Sequence, residues 1–259
     1  MFFTWMKRRR RRSLRAAPLP EAWREVFLAN VHHYRRLPAP LQRRLEDQTK
    51  VFVAEKWWEG CEGLEITEEI KVTIAGNACL LLLGSDDDYY CFDRVQTVLV
   101  YPRRYIQRPP RQPRAGVVTD TTPQVDLGVS WHRGPVTLSW PDALRGGQGR
   151  DRRGNVVLHE FAHKLDELNG ETEGVPPLPD AELERRWRPT MQREYEQLEQ
   201  AVEEGLPTPL DPYGLTNLAE FFAVATESFF EHSEELRSQR PELYQLLREF
   251  YRLDPVQWR

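Results

Sequence analysis

Cysteine is scarce in this chain: three residues in 259, at positions 61, 79 and 91. They form no CxxC pair, their spacing is wide and their number is odd, so a disulfide framework is excluded and a reducing cytoplasm is the expected compartment. Cys79 lies in an apolar run and reads as core. Long apolar runs are missing too. The opening MFFTWM and the LLLL at 80–83 are far too short to span a bilayer, and 14–20 supplies no secretory-type apolar stretch after the first basic residues. Acidic residues are absent from the first fifteen positions, which hold Lys7, Arg8 to Arg12 and Arg15. The rest of the chain is therefore more acidic than the total of −4 suggests. Such a block reads as a solvated, disordered tail, with nucleic acid or anionic lipid as the contacts open to it; nucleic acid is not otherwise expected as a partner. No internal repeat is present, and the acidic run Asp86–Asp88 lacks the spacing of an EF-hand.

The chain does have 40% apolar residues and eight tryptophans, enough for the core of one large domain or two small ones. The expected organisation is a basic tail over 1–18, a helical region over 19–92 and a core over 93–259, with 19–259 as one compact unit. Apolar periodicity predicts helices at 21–36, 40–57 (closed by Trp57 and Trp58 before Gly60) and 67–84, with Thr67-Glu68-Glu69-Ile70 as a helix start. Strands are expected at 95–101, 125–131 and 135–140, the last two joined by a turn at 132–135. Residues 103–114 read as an Arg/Pro-rich connection. Further helices are expected at 180–204, with Trp187, Met191, Tyr195 and Leu198 as a buried stripe, then at 216–232 and 241–252, with 207–214 as a loop. The fold class is α+β and mostly helical, with a small β-sheet.

Within this frame, HEFAH at 159–163 carries the chemistry. On a helix, His159 and His163 project from one face and can share one zinc ion, and Glu160 falls beside it as general base. An HExxH arises by chance in about one such chain in a hundred, and its context lowers that risk. Val157, Phe161, Leu165 and Leu168 recur at helical steps, Asn155 suits an N-cap after Gly154, and Gly170 suits a stop. Metal-assisted hydrolysis, most often of a peptide bond, is the reaction class this spacing indicates.

A catalytic zinc needs three protein ligands and one open position. The pattern HExxHxxGxxH fails, because 165 is Leu and 169 is Asn, so the third ligand comes from elsewhere. Glu220 is the leading candidate. It lies among Ala219, Phe221 and Phe222, where a carboxylate is costly to bury without a cation. Glu227, seven residues on, is either an outer partner or a surface residue, and Asp211 is a weaker candidate that suits a turn. Asp166 either accepts a hydrogen bond from a ligand imidazole or lies exposed. Tyr213 either donates to the oxyanion of a tetrahedral intermediate or simply packs in its loop. His32, His33, His132 and His232 have no companion ligands and read as solvent-facing or capping residues.

HEFAHKLD (159–166) together with DPYGLTNLAEFFAVATESFFE (211–231) resembles the Mlc titration factor A family of bacterial zinc peptidases. IAGNACLLLLG (74–84), VLVYP (98–102), GPVTLSWPD (134–142) and LYQLLREFYRLDP (243–255) are similar to it too. The resemblance covers nearly the whole chain except the arginine-rich start. YGLTNLAEFFA is also similar to the protease domain of the lethal-factor toxin. The resemblance implies a gluzincin-like zinc peptidase with His159, His163 and Glu220 as ligands of one Zn2+, Glu160 as base and Tyr213 as transition-state partner. It further implies a cytoplasmic location, aminopeptidase-like activity on peptide substrates, and binding of the repressor Mlc in sugar phosphotransferase regulation. The alternative function is a regulatory protein-binding factor whose zinc site is latent or activated by a partner. A substrate peptide is expected to pair with an edge strand at 135–140.

Overall fold

The computed structural model describes residues 2–85, 92–103, 134–151 and 154–258. Asp86–Asp88, nearly all of the Arg/Pro-rich connection, the strand expected at 125–131 and His132 lie outside them. The described residues form ten α-helices and one three-stranded sheet, a mostly helical α+β fold. In chain order the helices are α1 (Phe2–Ala16), α2 (Glu21–Asn30), α3 (Ala39–Glu55), α4 (Glu68–Leu80), α5 (Trp140–Gly147), α6 (Val156–Asp166), α7 (Ala181–Glu203), α8 (Leu218–Glu231), α9 (Ser233–Gln239) and α10 (Pro241–Tyr251). The strands β1 (Trp57–Gly60), β2 (Thr97–Tyr101) and β3 (Val136–Ser139) are all parallel and lie in the order β1-β2-β3.

Several helix limits follow from capping chemistry. The side chains of Thr67, Asn155, Asp180 and Asn217 each accept a backbone N–H in the first turn of α4, α6, α7 and α8. Gly170 closes the turn after α6 with φ +95°, a left-handed conformation that suits glycine.

Four expectations change. The stretch read as a disordered tail contains α1, which docks on α3. The helix expected at 21–36 stops at Asn30, after which the His32 N–H is drawn to the Gly147 carbonyl, and only a short 3-10 turn follows. Trp57 and Trp58 do not close α3 but begin β1, paired to Thr97 and Val98. Trp140 does not extend β3, because Ser139 caps α5 through the Asp142 N–H.

One buried cluster runs from Phe27 to Trp258 and draws on both the 19–92 and the 93–259 segments. It sets the position of α6. Val157 and Phe161 are fully buried and Leu165 nearly so. The Phe161 ring meets Phe52 at 5.5 Å and Phe92 at 4.8 Å, edge to face. Truncating a buried phenylalanine costs about 3–5 kcal/mol, so α6 is held firmly with its opposite face turned toward α8. Trp187, Met191 and Leu198 form the expected stripe of α7, and Tyr195 donates its hydroxyl to the Leu215 carbonyl at 2.7 Å.

Candidate metal centre

Asn155 fixes the start of α6, accepting the Val157 N–H at 3.1 Å. His159 and His163 follow one turn apart, with rings 4.9 Å apart and edge to face. Asn217 does the same for α8, accepting the Glu220 N–H at 2.9 Å. These two caps face Glu220 toward the histidines.

Three donor atoms converge. His159 Nε2 lies 3.0 Å from Glu220 Oε2, His163 Nε2 lies 3.3 Å from the same oxygen, and the two Nε2 atoms are 3.2 Å apart. A tetrahedral zinc with bonds of about 2.0–2.1 Å has donor–donor edges of roughly 3.3 Å, so the spacing fits. The side chains keep 12%, 16% and 19% exposure, so the centre is reached from solvent.

Glu227 completes the outer layer. Its Oε1 accepts from His159 Nδ1 at 2.7 Å and its Oε2 accepts the Asn155 N–H at 2.6 Å. The first bond puts the proton of His159 on Nδ1 and turns Nε2 to the centre. Gly154 makes room for it, since a Cβ there would meet Glu227 Oε2 at 2.1 Å. Burial alone would lower the His159 pKa, but hydrogen bonds to Glu220 and Glu227 raise it well above its usual value. Burial would raise Glu220, yet the two imidazoles pull it down to about 2. Glu227 is shifted upward, chiefly by burial.

Of the remaining sequence candidates, Glu160 is half-buried on α6, and its charge acts on both His159 and Tyr213. Tyr213 sits in a 3-10 turn (Pro212–Thr216), 53% exposed, its ring 5.9 Å from that of His159. Burial first, then Glu220 and Glu160, raises its pKa, which keeps the phenol protonated and able to donate. Asp211 is no part of the centre; it caps that turn by accepting the Tyr213 N–H. Asp166 is fully buried rather than exposed. Its Oδ2 accepts the Gly174 N–H at 2.8 Å, which holds the loop against the start of α8. Asp166 Oδ1 and His163 Nδ1 are both buried without a hydrogen-bond partner, so neither alternative holds for Asp166: it is not exposed and it does not bond a ligand imidazole.

A second His-His-Glu cluster escaped the sequence reading. His32 and His33 are neither solvent-facing nor caps: both meet Glu231, on the last turn of α8. His32 Nε2 donates to Oε2 at 3.0 Å, and His33 Nε2 donates to Oε1 at 3.3 Å. Asn155 Nδ2 adds a third donor at 3.3 Å. His32 also points Nδ1 at the Gly147 carbonyl, 3.1 Å away. Both of its nitrogens therefore face acceptors, and its pKa is raised against the effect of burial. Burial lowers that of His33 and keeps it neutral. The carboxylate is satisfied by hydrogen bonds alone. The available signal was the i, i+4 spacing of Glu227 and Glu231, which puts both on one face of α8.

The chain matches the family described as glucose-regulated metallo-peptidase M90 over residues 5–252. It is 37% identical over 252 residues to the uncharacterized protein slr2042 of Synechocystis sp., covering 95% of this chain and 89% of that one. It is 33% identical to Mlc titration factor A of Serratia proteamaculans, over 85% of this chain and 84% of that one. For Mlc titration factor A of Klebsiella pneumoniae the identity is also 33%, over 83% and 80%. The family match takes in most of α1, so the arginine-rich start is not foreign to the pattern. The chain belongs to this metallopeptidase family.

Proposed function

We propose that the chain is a zinc peptidase of the gluzincin type, with His159, His163 and Glu220 holding one zinc ion. The observation that carries this reading is the triangle of donor atoms, with all three edges between 3.0 and 3.3 Å. The ion supplies a Lewis acid that polarises the scissile carbonyl and makes water acidic enough to deprotonate near neutral pH. Glu160 accepts that water proton and passes it to the leaving amine. Tyr213 donates its hydroxyl to the oxyanion of the tetrahedral intermediate, a contribution that grows as charge develops. Glu227 acts through His159, holding its tautomer.

The substrate is an extended peptide laid against β3. Among the described residues this strand is at the edge of the sheet, and it packs on α6, so a peptide adding to it would pass close to the metal ligands. The absence of backbone bonds to residues 136–139 in a complex with a substrate analogue would remove this part. The resemblance further supports an aminopeptidase-like cut. Faster release from peptides with a free amino terminus than from acetylated ones is the expected result, and equal rates would refute it.

Two relatives are titration factors for Mlc by name, which favours a second role: binding a transcriptional repressor of that kind in the cytoplasm, in control of sugar phosphotransferase uptake. Glu160→Gln separates the two roles. The variant is expected to retain repressor binding and zinc while losing peptidase activity. If peptidase activity survives in Glu160→Gln, the base is misassigned; if the wild type carries zinc and binds repressor but cleaves no peptide, the regulatory reading stands alone.

A further inference from the structure

The basic start of the chain is a folded helix with two different faces. Inward, Lys7 pairs with Asp93 at 2.9 Å, and Arg11 forks onto Glu55 at 2.9 and 2.6 Å while also meeting Asp93. Arg10 donates to the Ala54 carbonyl at 3.2 Å. Leu14 packs on the core, and Lys50 Nζ caps the end of the helix by donating to the Arg15 and Ala17 carbonyls, both at 2.6 Å. These contacts fix the rotation of α1 and leave the opposite face outward.

That outward face is a stripe of Trp5, Arg8, Arg9 and Arg12 at i, i+3, i+4 and i+7, all exposed. Among the described residues, no acidic side chain pairs with Arg8, Arg9 or Arg12; Arg9 lies over the Trp5 ring at 5.6 Å. Trp5 is 57% and Met6 49% exposed, at the end of the helix away from its tether. Among the described residues, no helix is long and apolar enough to cross a membrane.

We propose that the outward face of α1 docks on the surface of an anionic phospholipid bilayer, with Arg8, Arg9 and Arg12 at the phosphates and Trp5 and Met6 at the headgroup boundary. A basic stripe with an aromatic and an apolar side chain at one end suits a helix lying in a membrane interface. Nucleic acid fits less well. A phosphate-reading surface gains nothing from an exposed methionine, and it needs a broader basic field than one helix on an otherwise acidic chain. The proposal does not depend on the peptidase reading.

The test is co-sedimentation of the full chain with vesicles of phosphatidylcholine alone or with about one third phosphatidylglycerol, beside a duplex DNA binding assay. The expected result is binding to the anionic vesicles only, weakened by salt. The triple variant Arg8→Glu, Arg9→Glu, Arg12→Glu should lose more than about tenfold in affinity, and the double variant Trp5→Ser, Met6→Ser a few-fold. Circular dichroism melts checked on each variant should match the wild type, since none of these residues faces the core. No binding of the wild type to anionic vesicles at low salt overturns the proposal. So does equal binding to both vesicle types, or full binding by the folded triple variant. DNA binding that exceeds vesicle binding and ignores the Trp5/Met6 change assigns the face to nucleic acid instead.

Discussion

Two clusters of the same composition, each two histidines and one glutamate, both take their glutamate from α8 and are arranged differently. In His159, His163 and Glu220 a single carboxylate oxygen and two Nε2 atoms meet at one point. In His32, His33 and Glu231 each imidazole takes its own carboxylate oxygen, and Asn155 takes a further share. Spacing explains the difference. Four apart on α6, His159 and His163 bring both Nε2 atoms to one oxygen, whereas His32 and His33, adjacent in the turn after α2 with rings 3.8 Å apart, reach the two oxygens of Glu231 separately. The first cluster has the donor geometry proposed for zinc, and the second is a buried carboxylate whose oxygens are taken by hydrogen-bond donors. Asn155 joins them, with its backbone N–H on Glu227 and its side chain on Glu231.

This contrast is best broken by removing the glutamates one at a time. Glu220→Ala is expected to have the largest effect. It removes a direct ligand, so zinc affinity should fall by more than the 10- to 100-fold typical of an outer partner, with activity lost alongside; competition against a chelator measures it. Glu160→Gln comes next: a kcat loss of about 10^2- to 10^4-fold with zinc content unchanged. Glu227→Gln should weaken zinc binding by about 10- to 100-fold, because His159 loses the acceptor that sets its tautomer. Glu231→Gln should leave zinc binding close to wild type yet cost about 3 kcal/mol of stability, as expected for breaking a buried charge pair, measured by urea unfolding.

Acid sharpens the last prediction. Burial would raise the Glu231 pKa, but the hydrogen bonds from His33 and His32 and the charge of His32 hold it far below the usual carboxylate range. A depressed folded pKa means stability that is present above the unfolded value, about 4.3, and lost as pH falls below it. The stability gap between wild type and Glu231→Gln should therefore be widest near neutrality and narrow below about pH 4.5. A gap that stays constant down to pH 3 would mean that Glu231 does not titrate with folding.

What the sequence made legible was local. HEFAH, the Asn155 cap, the apolar face of α6 and the helix carrying Glu220 are each contained in a short window, and periodicity and capping rules read them directly. The tethering of α1 was not legible, because Arg11 finds Glu55 and Asp93 far along the chain and a run of like charge says nothing of partners. Strand β1 was missed for the same reason: Trp57-Trp58 continue an apolar helix pattern, and only β2 reveals them as a strand. The cluster around Glu231 needed contacts across nearly the whole length of the chain, His33 to Glu231. Asp166 shows a different gap, since its position near the ligands suggested a bond to an imidazole but its burial serves the Gly174 loop.

The most direct test is metal content after exhaustive dialysis, measured on wild type, Glu220→Ala and Glu231→Gln. Convergence of the three donors on one point predicts one zinc per chain in the wild type and in Glu231→Gln, and none in Glu220→Ala. Two ions in the wild type with one lost in Glu231→Gln, or a full complement in Glu220→Ala, would contradict it.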